Sequence, residues 1–239
     1  MKQISLLGWI VLVLFSVTGL WRLASVADYQ LTGRLVHRVD TQQPVIALTF
    51  NDGPVPQQTE AVLRILAHEQ IRATFFLVGR DLQRYPHLLP VILAANHQVG
   101  NHGFSHQRLV LKTPSFIAAE IEQTDALLKA GGAQEPFLFR PPYGKKLWLL
   151  PKYLASKQKT TVTWDLAPEN VISLQRNQAQ FIDFTVQQAR PGSIIVLHVM
   201  DAQKLQTLNA LPEIIQGLKK RGFRFVTVSE LMALAPEAD

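Results

Sequence analysis

Three side chains in this sequence, Asp52, His102 and His106, are of the types that hold a divalent cation while leaving one coordination position open to water. Asp52 sits in the run Thr49-Phe50-Asn51-Asp52-Gly53-Pro54, directly after an apolar stretch that reads as a strand. The histidines belong to Gly100-Asn101-His102-Gly103-Phe104-Ser105-His106, and imidazoles four residues apart reach one ion when the backbone turns helically. A cation bound this way would polarise a carbonyl and acidify the remaining water. Taken singly, Asp52-Gly53-Pro54 also reads as turn chemistry, and a histidine pair at this spacing also arises by coincidence. Two further runs could contribute. Arg140 opens Arg140-Pro141-Pro142-Tyr143-Gly144, which the double proline stiffens, and Leu197-His198 ends an apolar strand where a histidine could equally be a buried core residue.

The elements that must position these residues alternate between β-rich and helical patterns. Strands are predicted at Val45–Phe50, Thr74–Val78, Gln98–Gly100, Phe137–Phe139, Thr160–Trp164, Ser193–His198 and Phe223–Val228. Helices are predicted at Gln57–Glu69, Leu88–Ala95, Asn177–Ala189 and Pro212–Lys220, with another capped by Ser115 and stopped at Gly131-Gly132. Such alternation implies an α/β fold with a largely parallel sheet, either open and doubly wound or closed into a barrel. The candidate residues then fall in loops after strand carboxyl ends, where these folds place their chemistry.

The chain has no cysteine, which excludes disulfides and thiolate ligation. Its net charge of +6 is scattered, without the dense basic stripe of a nucleic-acid binder, so no nucleic-acid partner is expected. Between Lys2 and Arg22, the uncharged stretch Ile4 to Trp21 would span about 27 Å as a helix, close to the hydrocarbon thickness of a bilayer. Residues 1–27 are therefore expected to form a transmembrane anchor, or a signal segment cleaved near Ser25 and Ala27. Residues 28–43 read as a linker or first edge element, and residues 44–235 as the catalytic domain. The domain is expected outside the cytoplasm, tethered to the membrane or, after cleavage, secreted.

In this order the four runs resemble the motifs of the NodB-homology polysaccharide deacetylases, carbohydrate esterase family four. The family's T-F-D-D-G-P corresponds to residues 49–54, its H-x-x-S-H to His102–His106, its R-x-P-Y-G to Arg140–Gly144 and its L-H to Leu197-His198. The resemblance covers roughly residues 44–230 and implies a distorted (β/α) barrel. It further implies that Asp52, His102 and His106 bind a divalent metal, most often Zn2+ with Co2+ or Ni2+ as alternatives, and that a metal-activated water attacks the acetamide of an N-acetylated glycan. By the same resemblance, the Tyr143 backbone N–H holds the oxyanion, His198 protonates the departing amine, Leu197 lines the acetyl pocket and Arg140 orients the catalytic acid.

The sequence departs from the family where protons move. The usual general base is an aspartate at position 51, and this chain has Asn51, which cannot take a proton at physiological pH. Loss of a general base typically costs about 10²–10⁴ in rate. The fourth motif, normally two aspartates and a tryptophan, falls by spacing on Ala167, Asn170 and Val171, leaving Asp165 or Glu169 as spatial substitutes. An uncompensated buried arginine is costly, so Arg140 is expected to pair with Asp165 or Glu169, or to reach solvent. The expected activity is metal-dependent N-deacetylation of a chito-oligomer, peptidoglycan or exported polysaccharide. The alternatives are a weakened relative that binds glycans without processing them and an unrelated metal-dependent hydrolase on the same fold.

Overall fold

The computed structural model describes residues 6–171, 173, 177–200 and 205–235. Helix α1 (Leu6–Leu23) is followed by β1 (Leu35–Val36) and by the central strand β2 (Val45–Asn51). All seven residues of β2 are buried, as expected of a central parallel strand covered on both faces. Beside it lie β3 (Thr74–Leu77) and β4 (Gln98–Asn101) on one side and β6 (Ile194–Leu197) on the other, all in parallel register. The short strand β7 (Arg224–Phe225) pairs with the start of β2, and β1 pairs with β5 (Thr161–Val162).

Single bridges carry the ladder the rest of the way round. Asn101 of β4 bridges Phe139, Phe139 bridges Thr161 of β5, and Leu166 bridges Ile195 of β6. Strand pairing therefore returns to β6 and β2, giving an irregular parallel barrel, the closed one of the two arrangements the alternation left open and the one the family resemblance implies. Its weakest staves are Phe139 and Leu166, each holding on by one residue pair on a side.

Helices clothe this sheet: α2 (Pro56–His68), α3 (Gly79–Arg84), α4 (Leu88–Ala94), α5 (Pro114–Ala130), α6 (Leu149–Ser156), α7 (Gln178–Gln188), α8 (Leu205–Lys220) and α9 (Val228–Met232). The inward stripe of α2, Val62, Leu63 and Leu66, packs with Ile46, Leu48 and Phe50 of β2 and with Ile214 and Leu218 of α8 in the main core. Each such side chain contributes about 1.5–3 kcal/mol on burial. Helix α5 is capped by Thr113, which accepts the Phe116 N–H, and not by Ser115. Pro114 explains the shift, since its fixed φ and missing N–H suit the first helical position. Helix α8 begins at Leu205, earlier than expected, with Pro212 inside it. The expected strand Phe223–Val228 stops at Phe225, because Thr227 and Glu230 form a capping box that starts α9.

Among the described residues no helix is long and apolar enough to cross a membrane. Lys2 and Ile4, the start of the expected span, lie outside the described residues. Helix α1 keeps Trp9, Leu14 and Phe15 more than half exposed, unlike a core helix. The segment after it is bound to the domain. Ala24 O accepts the Lys146 N–H at 2.8 Å, Val26 O accepts from Lys146 Nζ at 2.5 Å, and Ala27 O accepts from Thr163 Oγ1 at 2.6 Å. Val36 and Val39 are buried, so residues 28–43 form an edge of the domain.

Candidate metal centre and proton-transfer site

Every candidate side chain emerges from the carboxyl end of a parallel strand or stave. Asp52 follows β2, His102 follows β4, Arg140 follows Phe139, and His198 follows β6. Three backbone groups after β3 hold the first two loops together. Val78 N–H donates to Gly53 O, while Gly79 N–H and Arg80 N–H donate to Gly103 O and Phe104 O, each at 2.9 Å. Gly79 is required there, since a Cβ would lie 2.5 Å from Thr124 Oγ1 and 2.6 Å from the Phe104 ring.

Glu120 on α5 tightens the histidine loop from outside. Its Oε2 accepts the N–H groups of Phe104 and Ser105, and its Oε1 accepts the Ser105 hydroxyl at 2.6 Å. Asn101 completes the loop by accepting the Gly103 N–H at 2.7 Å and donating to Ile121 O. Asp52, His106 and Tyr143 all sit at positive φ, 71°, 57° and 58°, which L-residues with side chains rarely adopt. Local strain of this kind persists where surrounding bonds enforce it, and here it turns all three residues toward one cavity.

The ligating atoms of Asp52, His102 and His106 lie within 4.8 Å of one another. Asp52 Oδ1 is 3.2 Å from His106 Nε2 and 3.9 Å from His102 Nε2. Two ligand arms of about 2 Å at a tetrahedral angle subtend about 3.4 Å, so this triangle fits a zinc-sized ion. His102 supplies a second sign. Its Nδ1 lies 2.7 Å from Arg140 O, which fixes the ring, while its buried Nε2 has no hydrogen-bond partner among the described residues. A buried ring nitrogen pointed at a carboxylate and another imidazole, and otherwise unsatisfied, suits a metal ligand. Burial pushes the His102 imidazole well below its ordinary range, with His106 acting in the same direction. His106 is lowered too, burial outweighing the opposing attraction of Asp52. Both rings are thereby held neutral, the ligating form.

Across the cavity the arrangement differs from expectation. Arg140 is fully buried and pairs with neither Asp165 nor Glu169, nor does it reach solvent. It donates to Thr49 Oγ1 at 2.7 Å, Asn51 Oδ1 at 2.9 Å, Val162 O at 3.3 Å and Thr163 O at 2.9 Å. Its guanidinium also lies 4.0 Å from the centroid of the Phe76 ring. Neutral oxygens and an aromatic face replace the expected carboxylate, because a delocalised guanidinium disperses its charge over many donors. Desolvation still presses its pKa well below the ordinary arginine value.

The two acids of the divergent fourth motif separate. Asp165 turns away from the chemistry and anchors the start of β6, accepting the Ile194 N–H at 2.8 Å and the Ser193 hydroxyl at 2.9 Å. Glu169 turns inward on the 3₁₀ turn Pro168–Asn170. Its Oε2 meets His198 Nδ1 in a short hydrogen bond, and its Oε1 accepts the His198 N–H at 3.0 Å and the Thr207 hydroxyl at 2.8 Å. Burial pushes the Glu169 carboxyl up, but these bonds and the His198 ring outweigh it and hold the group below its ordinary value. On its other side His198 Nε2 is 3.3 Å from Asn51 Nδ2.

These groups line a cavity of about 740 Å³ whose walls include Asn51, Asp52, His106, Tyr143, Glu169 and His198. The half-exposed Tyr143 ring lies 4.7 Å from that of His106, tilted at 47° to it. The turn that presents it needs Gly144, where φ is 65° and a Cβ would meet the Trp164 ring at 2.9 Å. Leu197 lies fully buried in the main core, since strand alternation sends it to the face opposite His198. The apolar wall of the cavity comes instead from Val55, Val78, Val196 and Met200 with the Trp164 ring. Glu120 and the cavity-lining Asp81 were not among the predicted site residues. Only the spacing of Glu120 within α5 could have hinted that it faces inward, three residues after Ile117 and four before Thr124.

Comparison with known proteins agrees with this geometry. The family profile for polysaccharide deacetylase matches residues 38–164. The chain is 33% identical over 201 residues to a peptidoglycan-N-acetylglucosamine deacetylase of Bacillus cereus, covering 84% of this chain and 94% of that one. Among solved structures, the Bc1960 peptidoglycan N-acetylglucosamine deacetylase superposes with a TM-score of 0.78 at 26% identity, over 85% of this chain and 95% of that one. A BA3943 mutant, a CE4 family pseudoenzyme with restored enzymatic activity, gives 0.76 at 25% identity, over 86% and 73%. Its wild type comes from Bacillus anthracis. The chain belongs to the polysaccharide deacetylases of carbohydrate esterase family four.

Proposed function

We propose that this protein hydrolyses the N-acetyl group of an amino sugar in a peptidoglycan-type glycan, using a divalent metal held by Asp52, His102 and His106. The observation that carries the reading is that this triangle, with its unsatisfied His102 Nε2, faces the Glu169-supported His198 across one cavity. Zinc, cobalt or nickel would each accept two imidazoles and a carboxylate, and the bound ion would supply a Lewis acid for the acetamide carbonyl. The chain's own residues do the rest. Asn51 and His198 flank the place of the attacking water, Tyr143 offers its backbone N–H to the carbonyl oxygen, and Val196 with Met200 gives the acetyl methyl an apolar wall. The peptidoglycan preference rests on relatives that are peptidoglycan N-acetylglucosamine deacetylases.

A location outside the cytoplasm belongs to the same proposal. Its support is the exposed apolar surface of α1 together with the fastening of residues 24–27 to Lys146 and Thr163, which cleavage near Ala27 would disrupt. A second reading, a glycan-binding protein without turnover, is favoured by Asn51 where the family places its base. Acetate release from peptidoglycan and from N-acetylated chito-oligosaccharides, with zinc and with a chelator, tests the choice. Metal-dependent release supports hydrolysis. Glycan binding without release at high protein concentration would replace hydrolysis with the second reading.

A further inference from the structure

We propose that His198 takes over the work of the missing base, because Asn51 and Glu169 together fix it in the tautomer whose Nε2 carries a lone pair. The proposal rests on the deacetylase reading above. It follows from a relay of hydrogen bonds whose polarity can be read from one end. Arginine has only donors, so the Asn51 atom 2.9 Å from Arg140 Nη1 must be its oxygen. The amide nitrogen of Asn51 then faces His198 Nε2 at 3.3 Å and can only donate to it. His198 Nε2 therefore accepts, and the ring proton sits on Nδ1, where the Glu169 carboxylate receives it.

An aspartate at position 51 would reverse this. A carboxylate oxygen opposite Nε2 only accepts, so the ring would have to bring a proton to it. The amide thus removes one base and exposes another a few ångströms away. Glu169 prepares the second base, since an imidazole whose Nδ1–H is held by a carboxylate is oriented and stabilised when Nε2 gains a proton. Glu169 is itself immobilised by the His198 N–H and the Thr207 hydroxyl. The Asn51 contact is long for a hydrogen bond, so water can displace it at little cost.

The step balances. The O–H bond of water breaks and its proton moves to His198 Nε2, while the water oxygen bonds to the acetamide carbon and the carbonyl π pair moves to oxygen. The oxyanion pair then re-forms the C=O bond as the C–N bond breaks with its electron pair going to nitrogen, which takes the proton from Nε2. Free amine and acetic acid leave, and His198 is neutral again. His198 is a catalytic residue in this scheme, and Glu169 and Asn51 are positioning residues.

The test is the protonation of the His198 ring nitrogens, read by ¹⁵N NMR on metal-free full-length protein labelled at histidine, in detergent, at about pH 8, above the ordinary histidine range. The resonances are assigned with His198→Gln. Wild type is expected to show a protonated Nδ1 and an unprotonated Nε2, and Asn51→Asp to show a protonated Nε2. Glu169→Gln is expected to lose the Nδ1–H preference and to lower kcat for acetate release about 10²-fold or more, with KM changed less. A protonated Nε2 in wild type, or identical rings in wild type and Asn51→Asp, would overturn this proposal and leave the deacetylase reading standing. Acetate release unchanged in His198→Gln would also overturn it. Absence of release from wild type would overturn both, whatever the tautomer.

Discussion

The two walls of the cavity reach their order by different routes. On the metal wall, Asp52, His102 and His106 occupy the positions that the motif spacing assigns them. Their loops are cross-tied by the Val78–Arg80 backbone and by Glu120. On the proton wall, Asn51 stands for an acid, Ala167 and Asn170 occupy the spacing of two more, and Arg140 has no carboxylate partner among the described residues. Yet that wall is no less closed. Arg140 exchanges ionic pairing for neutral oxygens, and Glu169 reaches His198 from a turn position the spacing did not assign. A site can therefore lose its expected acids without losing a continuous hydrogen-bond relay, provided each substitution leaves every donor facing an acceptor.

The largest effect should come from the acid that the proton wall has recruited. Glu169→Gln is expected to slow acetate release about 10²–10⁴-fold while zinc content stays at the wild-type level. Equal loss of zinc and rate would mean that the two walls are not separable. Next in size is an effect away from both walls. His97, buried at the far end of the β3–β4 pair, accepts the Ala73 N–H through Nδ1, and burial lowers its pKa to about 4. Because the unfolded ring titrates near 6.5, the unfolded chain binds more protons between these values. The stability held by neutral His97 is fully present above about pH 6.5, shrinks as pH falls, and is lost near pH 4, for a total of up to about 3 kcal/mol. Denaturant titrations across this range should show that slope, and His97→Gln should flatten it. Activity lost at a pH where the fold is intact then reports on the cavity.

The smallest effect should come from Asp165, which shares a loop with Glu169 but fastens β6. Asp165→Asn is expected to cost about 1–3 kcal/mol of stability and to leave acetate release per folded molecule within a few-fold. A loss of rate as large as that from Glu169→Gln would place Asp165 in the chemistry and undo the distinction between them.

What could be read from the sequence follows the same division. The motif loops were legible because Gly, Pro and paired histidines at strand ends constrain the backbone locally, and the strand–helix alternation fixed the parallel arrangement. The closure of the barrel was only partly so. A strand was expected at Phe137–Phe139, but Leu166, which meets β6 through a single residue pair, lies beyond the expected Thr160–Trp164 strand and is too short a contact for any periodic signal. The partners of Arg140 were hidden for a related reason, since its four acceptors lie on β2 or on and just after β5, and two are main-chain carbonyls with no sequence signature. Asp165 and Glu169 could not be ranked because the direction each faces depends on the 3₁₀ turn at Pro168. The start of α9 carries a capping signature, Thr227-x-x-Glu230, but the β-rich residues before it dominated the pattern and the expected strand ran through it.

Zinc titration of metal-free protein tests the central claim most directly. Wild type is predicted to bind one zinc per chain, and His106→Ala to bind it at least about 100-fold more weakly, a loss no smaller than that from removing a group which merely orients a ligand. Unchanged zinc affinity in His106→Ala, or no zinc binding by the wild type, would contradict the metal centre and the hydrolysis built on it.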